Sequence, residues 1–195
     1  MRLEMQTLML LLAHRAPFTL HPSTATRPGI VTFAGTHNWQ DVRDDVDVRT
    51  CPWSGGDGKV HCGIFSRTLR MWDDVETFCH DESSSLVLAG YSLGGGVSVL
   101  LASMLERQGV DVQAVYTFGA PRVGDAGFAR WYAARGLAAR TWTYATPRDP
   151  VPSLPPNWPS LGRRVDVPCD PANGPIAQHD LRLYLRGVHA LRTSK

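Results

Sequence analysis

Ser92 stands in Gly90-Tyr91-Ser92-Leu93-Gly94, a G-x-S-x-G. A short apolar run, Leu86-Val87-Leu88-Ala89, leads into it, as a strand buried on both faces requires. Behind it Val97, Leu100, Leu101, Met104 and Leu105 recur at helical spacing. A serine on so sharp a strand-to-helix turn has a strained backbone, and its hydroxyl is lifted above the sheet edge. Gly90 and Gly94 lack a Cβ, so strand and helix can pass closely on either side. The helix N-terminus supplies N–H groups and a positive dipole end where an alkoxide, then an oxyanion, would need stabilising. That is the chemistry of a nucleophile attacking a carbonyl. Gly94-Gly95-Gly96 opening a helix could also cradle a phosphate, but no G-K-[ST] follows and no G-x-G-x-x-G is present.

A serine hydroxyl is a weak nucleophile at neutral pH and needs a base, which needs an orienting carboxylate. On an α/β-hydrolase elbow the acid follows the serine and the histidine comes last. His14, His21, His37, His61 and His80 precede Ser92, leaving His179 and His189. His189 falls inside the last helical pattern; His179 lies on the loop entering it and is favoured, a helix-capping surface histidine being the plainer role. Asp149 is the first carboxylate after the strand expected at 141–145, and Pro147, Pro150 and Pro152 stiffen its turn. Asp166, Asp170 and Asp180 are the weaker alternatives, while Asp125 reads as a helix cap. For the oxyanion, one donor is the backbone N–H of Leu93. The other is placed at Thr36, after Gly35 and the strand expected at 30–34; without the elbow, Gly35-Thr36 is an ordinary turn.

The elements around these residues alternate. Strands are expected at 30–34, 46–49, 86–89, 112–118, 141–145 and 163–167, helices at 63–81, 97–107, from Asp125, and at 180–191. Residues 52–58 read as a turn, 21–29 as a loop, and Gly109 as a helix stop. This alternation argues for one α/β domain over residues 1–195, a compact mixed sheet flanked by helices. Its 43% hydrophobic and 19% charged residues describe a globular chain, and a net charge of +2 gives no reason to expect nucleic acid. The apolar run 8–13 is too short to span a bilayer and makes a poor signal peptide, so a helix docked on the core is expected. That reading places the protein in the cytoplasm with Cys51, Cys62, Cys79 and Cys169 reduced, although Cys51 and Cys62 flank a glycine-rich loop and could pair in an oxidising compartment. No cysteine or histidine spacing suggests a metal, and no cofactor is expected.

The motifs together resemble the class 3 (fungal-type triacylglycerol) lipases of the α/β-hydrolase fold. The matching pieces are Val31-Thr32-Phe33-Ala34-Gly35-Thr36, His61-Cys62-Gly63, Gly90-Tyr91-Ser92-Leu93-Gly94-Gly95, Thr117-Phe118-Gly119-Ala120-Pro121-Arg122-Val123-Gly124, and Asp149-Pro150-Val151-Pro152 before His179. The resemblance implies a Ser92–Asp149–His179 triad, Thr36 and Leu93 as the oxyanion pair, and a structural His61. This chain departs from the pattern at Ala34, where the family usually has arginine, and at Tyr91, where it usually has histidine. The segment after Thr36, often a lid in the family, is short and polar here, with Trp39 its only bulky apolar residue. The stretch between Ser92 and Asp149 leaves no room for a cap domain.

The expected activity is therefore a serine carboxylester hydrolase, a lipase or esterase acting on a small acyl ester or lipid, with transient contact to a lipid surface and little rate jump there. Phospholipid or a bacterial envelope ester is the alternative on the same triad, and a non-catalytic hydrolase-fold binding module the alternative from another class. Oligomeric state is left open by the sequence.

Overall fold

The computed structural model describes residues 8, 11–13, 16–25, 27–35, 49–81 and 85–193. In chain order these form β1 (Phe18–His21), β2 (Gly29–Phe33), β3 (Thr50–Pro52), β4 (Lys59–His61), α1 (Cys62–Arg70), α2 (Trp72–Asp81), β5 (Leu86–Tyr91), α3 (Leu93–Arg107), β6 (Val112–Phe118), α4 (Ala126–Ala134), β7 (Thr141–Ala145), β8 (Arg163–Asp166), α5 (Pro175–Gln178) and α6 (Leu181–Thr193). Six strands make one sheet in the order β1-β2-β5-β6-β7-β8. β1 pairs antiparallel with β2, and every other pair is parallel, so the sheet is mixed.

β5 lies in the interior of this sheet, and its first five residues are buried, as its unbroken apolar run requires. Leu86 and Leu88 join one core cluster, with Val31, Phe33, Ile64, Val97, Leu100 and Phe128. Val87 and Ala89 point the other way, into a cluster with Leu8 and Ile30, the period-two alternation of a strand. α3 is buried at every residue except Met104, Glu106 and Arg107, because it lies between the sheet and α1. Its small residues allow that depth: a Cβ on Gly96 would stand 2.8 Å from Ile64 Cδ1.

The strands expected at 30–34, 86–89, 112–118, 141–145 and 163–167 all form, within two residues at each end. Gly109 takes φ 78° one residue beyond the cap of α3, and the Asp125 carboxylate accepts the Phe128 N–H at 3.0 Å to cap α4. Leu8 and Leu12, one turn apart and both helical, are buried, which agrees with a docked N-terminal helix. Between β5 and β7 the chain holds α3, β6, α4 and one short 3₁₀ turn, with no inserted cap.

Two expectations change, and one strand forms where none was expected. The single helix expected over 63–81 breaks at Met71, whose N–H closes back on Thr68 O at 3.1 Å; the break lets α1 bury Ile64 and Thr68 while Met71, Val75 and Cys79 enter the core beyond it. The segment 18–21 is a strand, held by its long-range register with β2 rather than by any strong local pattern. The expectation of reduced cysteines fails for Cys51 and Cys62, which form a disulfide. The β3–β4 hairpin sets Thr50 opposite His61 and Cys51 opposite Val60, bringing the two Cα atoms to 5.1 Å, inside disulfide reach. The expected strand 46–49, apart from Arg49, and the lid 37–45 lie outside the described residues.

Candidate active site

The elbow forms as its residues demand. Ser92 has φ 52° and ψ −127°, and among the described residues it is the one non-glycine with positive φ. Such a conformation costs about 1–3 kcal/mol, and it persists because the surroundings leave no alternative. The Ser92 N–H donates to Phe118 O at 2.8 Å, tying the turn to β6. A Cβ on Gly90 would lie 2.1 Å from Gly94 O, and one on Gly94 2.3 Å from Phe33 O, so no side chain fits at either position.

The loops at the ends of β7 and β8 bring the other two groups to this point. His179 Nε2 is 2.8 Å from Ser92 Oγ, and His179 Nδ1 is 2.8 Å from Asp149 Oδ2. All three residues are buried. The second carboxylate oxygen, Asp149 Oδ1, accepts the Val151 N–H at 2.9 Å, which fixes the rotation of the group. The imidazole therefore bridges hydroxyl and carboxylate, the arrangement in which a serine can lose its proton as it attacks.

Sequence reasoning missed the groups that hold this bridge. The Tyr184 hydroxyl, from α6, donates to Asp149 Oδ2 at 2.6 Å and accepts the Thr146 N–H at 3.2 Å. Burial first, then the charge of Asp149 and the hydrogen bond to it, push the ionisation of this phenol well above the ordinary tyrosine range, so it stays a donor. Gln178 accepts the Arg148 N–H at 2.9 Å with Oε1 and donates from Nε2 to Asn173 O at 3.1 Å, while its backbone carbonyl accepts the Thr146 hydroxyl at 2.9 Å. The acid loop and the base loop are thus stitched together beside the triad. Gly119, φ 60°, lies under it: a Cβ there would stand 3.0 Å from Asp149 Oδ2 and 3.2 Å from His179 Cε1. The available signal was the helical position of Tyr184 on the same segment as His179, but a buried tyrosine reads equally as core.

The remaining candidates separate cleanly. His189 lies within α6, exposed. Asp166 pairs with Arg164 at 2.8 Å on β8, Asp170 accepts the Ala172 N–H at 2.8 Å, and Asp180 pairs with Arg182 at 2.7 Å. His61 caps α1 by accepting the Ile64 N–H, and its ring lies edge-on to Trp158, a structural position. Leu93 opens α3, so its N–H belongs to the first turn, which lacks an intrahelical acceptor. Thr36 lies outside the described residues. Gly35 is described, and a Cβ on it would stand 2.9 Å from Ser92 Cβ, so the chain leading into Thr36 passes directly against the nucleophile.

A strained serine at the end of an interior parallel strand, with acid and histidine on later strand-end loops, defines an α/β-hydrolase. The fold superposes on Rhizomucor miehei lipase in complex with its propeptide (TM-score 0.67, 20% identity, covering 88% of this chain and 62% of that one) and on the mono- and diacylglycerol lipase of Aspergillus oryzae (TM-score 0.64, 19% identity, 75% and 56%). Residues 30–158 match the family described as Lipase (class 3), and the chain belongs to that family. Among its relatives, the secreted mono- and diacylglycerol lipase A of Penicillium camembertii is 30% identical over 134 residues, covering 65% of this chain and 42% of that protein. The secreted mono- and diacylglycerol lipase 1 of Fusarium solani is 30% identical over 156 residues, covering 67% and 44%. The chain spans less than half the length of these relatives. Both of these relatives are secreted, which overturns the expectation of a cytoplasmic protein, and a disulfide such as Cys51–Cys62 persists in oxidising compartments.

Proposed function

We propose that this chain is a single-domain serine carboxylester hydrolase working through Ser92, His179 and Asp149. The observation that carries the reading is the continuous bridge Ser92 Oγ–His179–Asp149, both links 2.8 Å. Ser92 Oγ bonds to the ester carbonyl carbon while its proton passes to His179 Nε2, and Asp149 accepts the Nδ1–H and stabilises the imidazolium. The oxyanion is taken up by the Leu93 N–H at the start of α3 and by Thr36. Collapse breaks the ester C–O bond, and the imidazolium proton goes to the departing alcohol. Water, deprotonated by His179, then attacks the acyl-enzyme and releases the acid.

The substrate is an acyl ester or lipid, and acylglycerols are the first class to test, since the relatives named above act on mono- and diacylglycerols. Ile176, on the helical turn that leads into His179, exposes 61% of its surface and offers an apolar contact to a lipid surface beside the site. A phospholipid is the second reading, favoured by a relative in rice, phospholipase A1-II 4, 32% identical over 124 residues and covering 55% of this chain and 30% of that protein. A fluorophosphonate probe should label the protein at Ser92, and Ser92→Ala should abolish the label. A panel of dispersed p-nitrophenyl esters, mono-, di- and triacylglycerols and phosphatidylcholine should then show hydrolysis of short-to-medium acyl esters with no large rate jump above the solubility limit. A wild-type protein that is folded but unlabelled by the probe would overturn the reading.

A further inference from the structure

We infer that Tyr91 is a positioning residue for the base, holding His179 in register with the nucleophile from the nucleophile's own strand. The inference rests on the triad reading and adds to it a residue at which this chain departs from the histidine usual in its motif.

Tyr91 is the last residue of β5 and the immediate neighbour of Ser92. Its ring stacks on the His179 imidazole, with centroids 5.2 Å apart and planes 28° from parallel. Its hydroxyl donates to the His179 backbone carbonyl. One side chain therefore touches both the ring that carries the proton and the backbone that carries the ring. Nothing local could do this. His179 caps the one-turn helix α5, and its own N–H turns back on that helix, to Ile176 O at 3.1 Å, so these hydrogen bonds of its own turn do not tie it to β5. β5, hydrogen-bonded to β2 and β6 on its two sides, is an interior strand held from both edges.

The groups facing the imidazole come from every element around it: Ser92 at the elbow, the Asp149 carboxylate from the loop after β7, Tyr184 from α6 through that carboxylate, Tyr91 from β5, and the adjoining Asp180, paired with Arg182. Burial, then the charges of Asp149 and Asp180, hold the Tyr91 phenol neutral well above the ordinary range, so it keeps its donor proton wherever the base works. When His179 takes the serine proton it becomes a cation beside an aromatic face, which attracts it. The ring thus backs the imidazole, and the hydroxyl fixes where it stands.

The test uses the full chain with Tyr91→Phe, which keeps the ring and removes the tether, and Tyr91→Leu, which removes both. Fluorophosphonate labelling rates from pH 5 to 9 and steady-state hydrolysis of a soluble p-nitrophenyl ester are measured for each, with thermal melting as the check on folding. For Tyr91→Phe we expect labelling and kcat to fall about five- to tenfold, the effect of one hydrogen bond, with KM changed less than about twofold and the acid limb of the pH profile unmoved. For Tyr91→Leu, which also loses the aromatic face, we expect about a hundredfold loss, again in kcat and labelling far more than in KM. A Tyr91→Phe protein that labels and turns over at the wild-type rate overturns the inference, whether or not Tyr91→Leu folds. Wild-type labelling that is lost in Ser92→Ala but undiminished in Tyr91→Phe would overturn Tyr91's role alone; absent wild-type labelling would overturn the triad with it.

Discussion

The two halves of the site are built by different means. The nucleophile is set by residues within a few positions of it: the β5 apolar run, Gly90 and Gly94, and the buried start of α3. Its strain is contained by backbone packed against backbone. The acid and base sit on loops at 146–153 and 172–180, whose places are set by side chains reaching across the fold: Tyr184 to Asp149, Gln178 to Arg148, Thr146 to Gln178, Tyr91 to His179. A device held by backbone contacts tolerates little change but needs no side-chain partners. A device made of long-range hydrogen bonds can lose one member and still fold, with its geometry loosened.

The largest expected effect comes from removing the group both halves serve. Ser92→Ala should lower kcat by about 10⁴–10⁶ on any substrate the wild type accepts, as triad removals do in serine proteases, while leaving the positive-φ strain in place, since alanine keeps the Cβ; a loss below about a hundredfold would break the comparison at its centre. Next is the elbow itself. Gly94→Ala places a Cβ 2.3 Å from Phe33 O, a backbone atom that cannot swing away, so a destabilisation of about 3 kcal/mol and a Tm fall on the order of 10 °C should be seen by calorimetry. Gln178→Ala tests the other half. It strands the Arg148 N–H and Asn173 O, at a cost of about 1–3 kcal/mol; labelling should slow about tenfold at temperatures where circular dichroism still shows a folded chain. A stability loss with no change in labelling would mean that the two loops are not coupled through Gln178.

The smallest effect lies away from both halves and serves as their control. The Asp125 carboxyl, which burial alone would push up, is held below the usual carboxylate range by the backbone N–H groups of Phe128, Lys59 and Gly127 and by the Lys59 charge. A lowered folded-state pKa stabilises above the unfolded value, about 3.9, and that contribution fades as pH falls through the lowered folded value. Asp125→Ala should therefore cost about 1 kcal/mol at neutral pH, visible as a small Tm shift that shrinks in acid, with labelling unchanged.

The alkaline side follows the same logic with the opposite sign. Tyr184, Tyr132 and Tyr91 all have ionisation pushed up, chiefly by burial. The unfolded chain ionises them near the ordinary value, about 10, before the folded chain can. Stability should therefore be full below that pH and fall above it, which melting curves from pH 8 to 11 would check.

Much of this was legible because it depends on neighbours in the chain. The elbow, the order of acid and histidine, the buried parallel strands, the Asp125 cap and the Gly109 stop each follow from a few adjacent residues and a known steric rule. Choosing His179 over His189 was also local, since one sits at a helix entrance and the other inside the helix. What could not be read was held by partners far along the chain. Residues 18–21 are a strand because β2 pairs with them, and Met71 interrupts a good helical pattern because two apolar faces meet the core at different places. The Cys51–Cys62 pairing needed the hairpin register to bring the two Cα atoms together, and the expected compartment argued against it.

The sequence by itself determined that a serine would stand on a strained turn at the mouth of a parallel sheet, because sterics within five residues permit little else. Only the tertiary structure decided that His179 and Asp149 meet it, and that Tyr91, Tyr184 and Gln178 keep them there. Hydrogen bonds between residues 30 to 90 positions apart depend on the packing of the whole sheet, and no short stretch of chain carries that information.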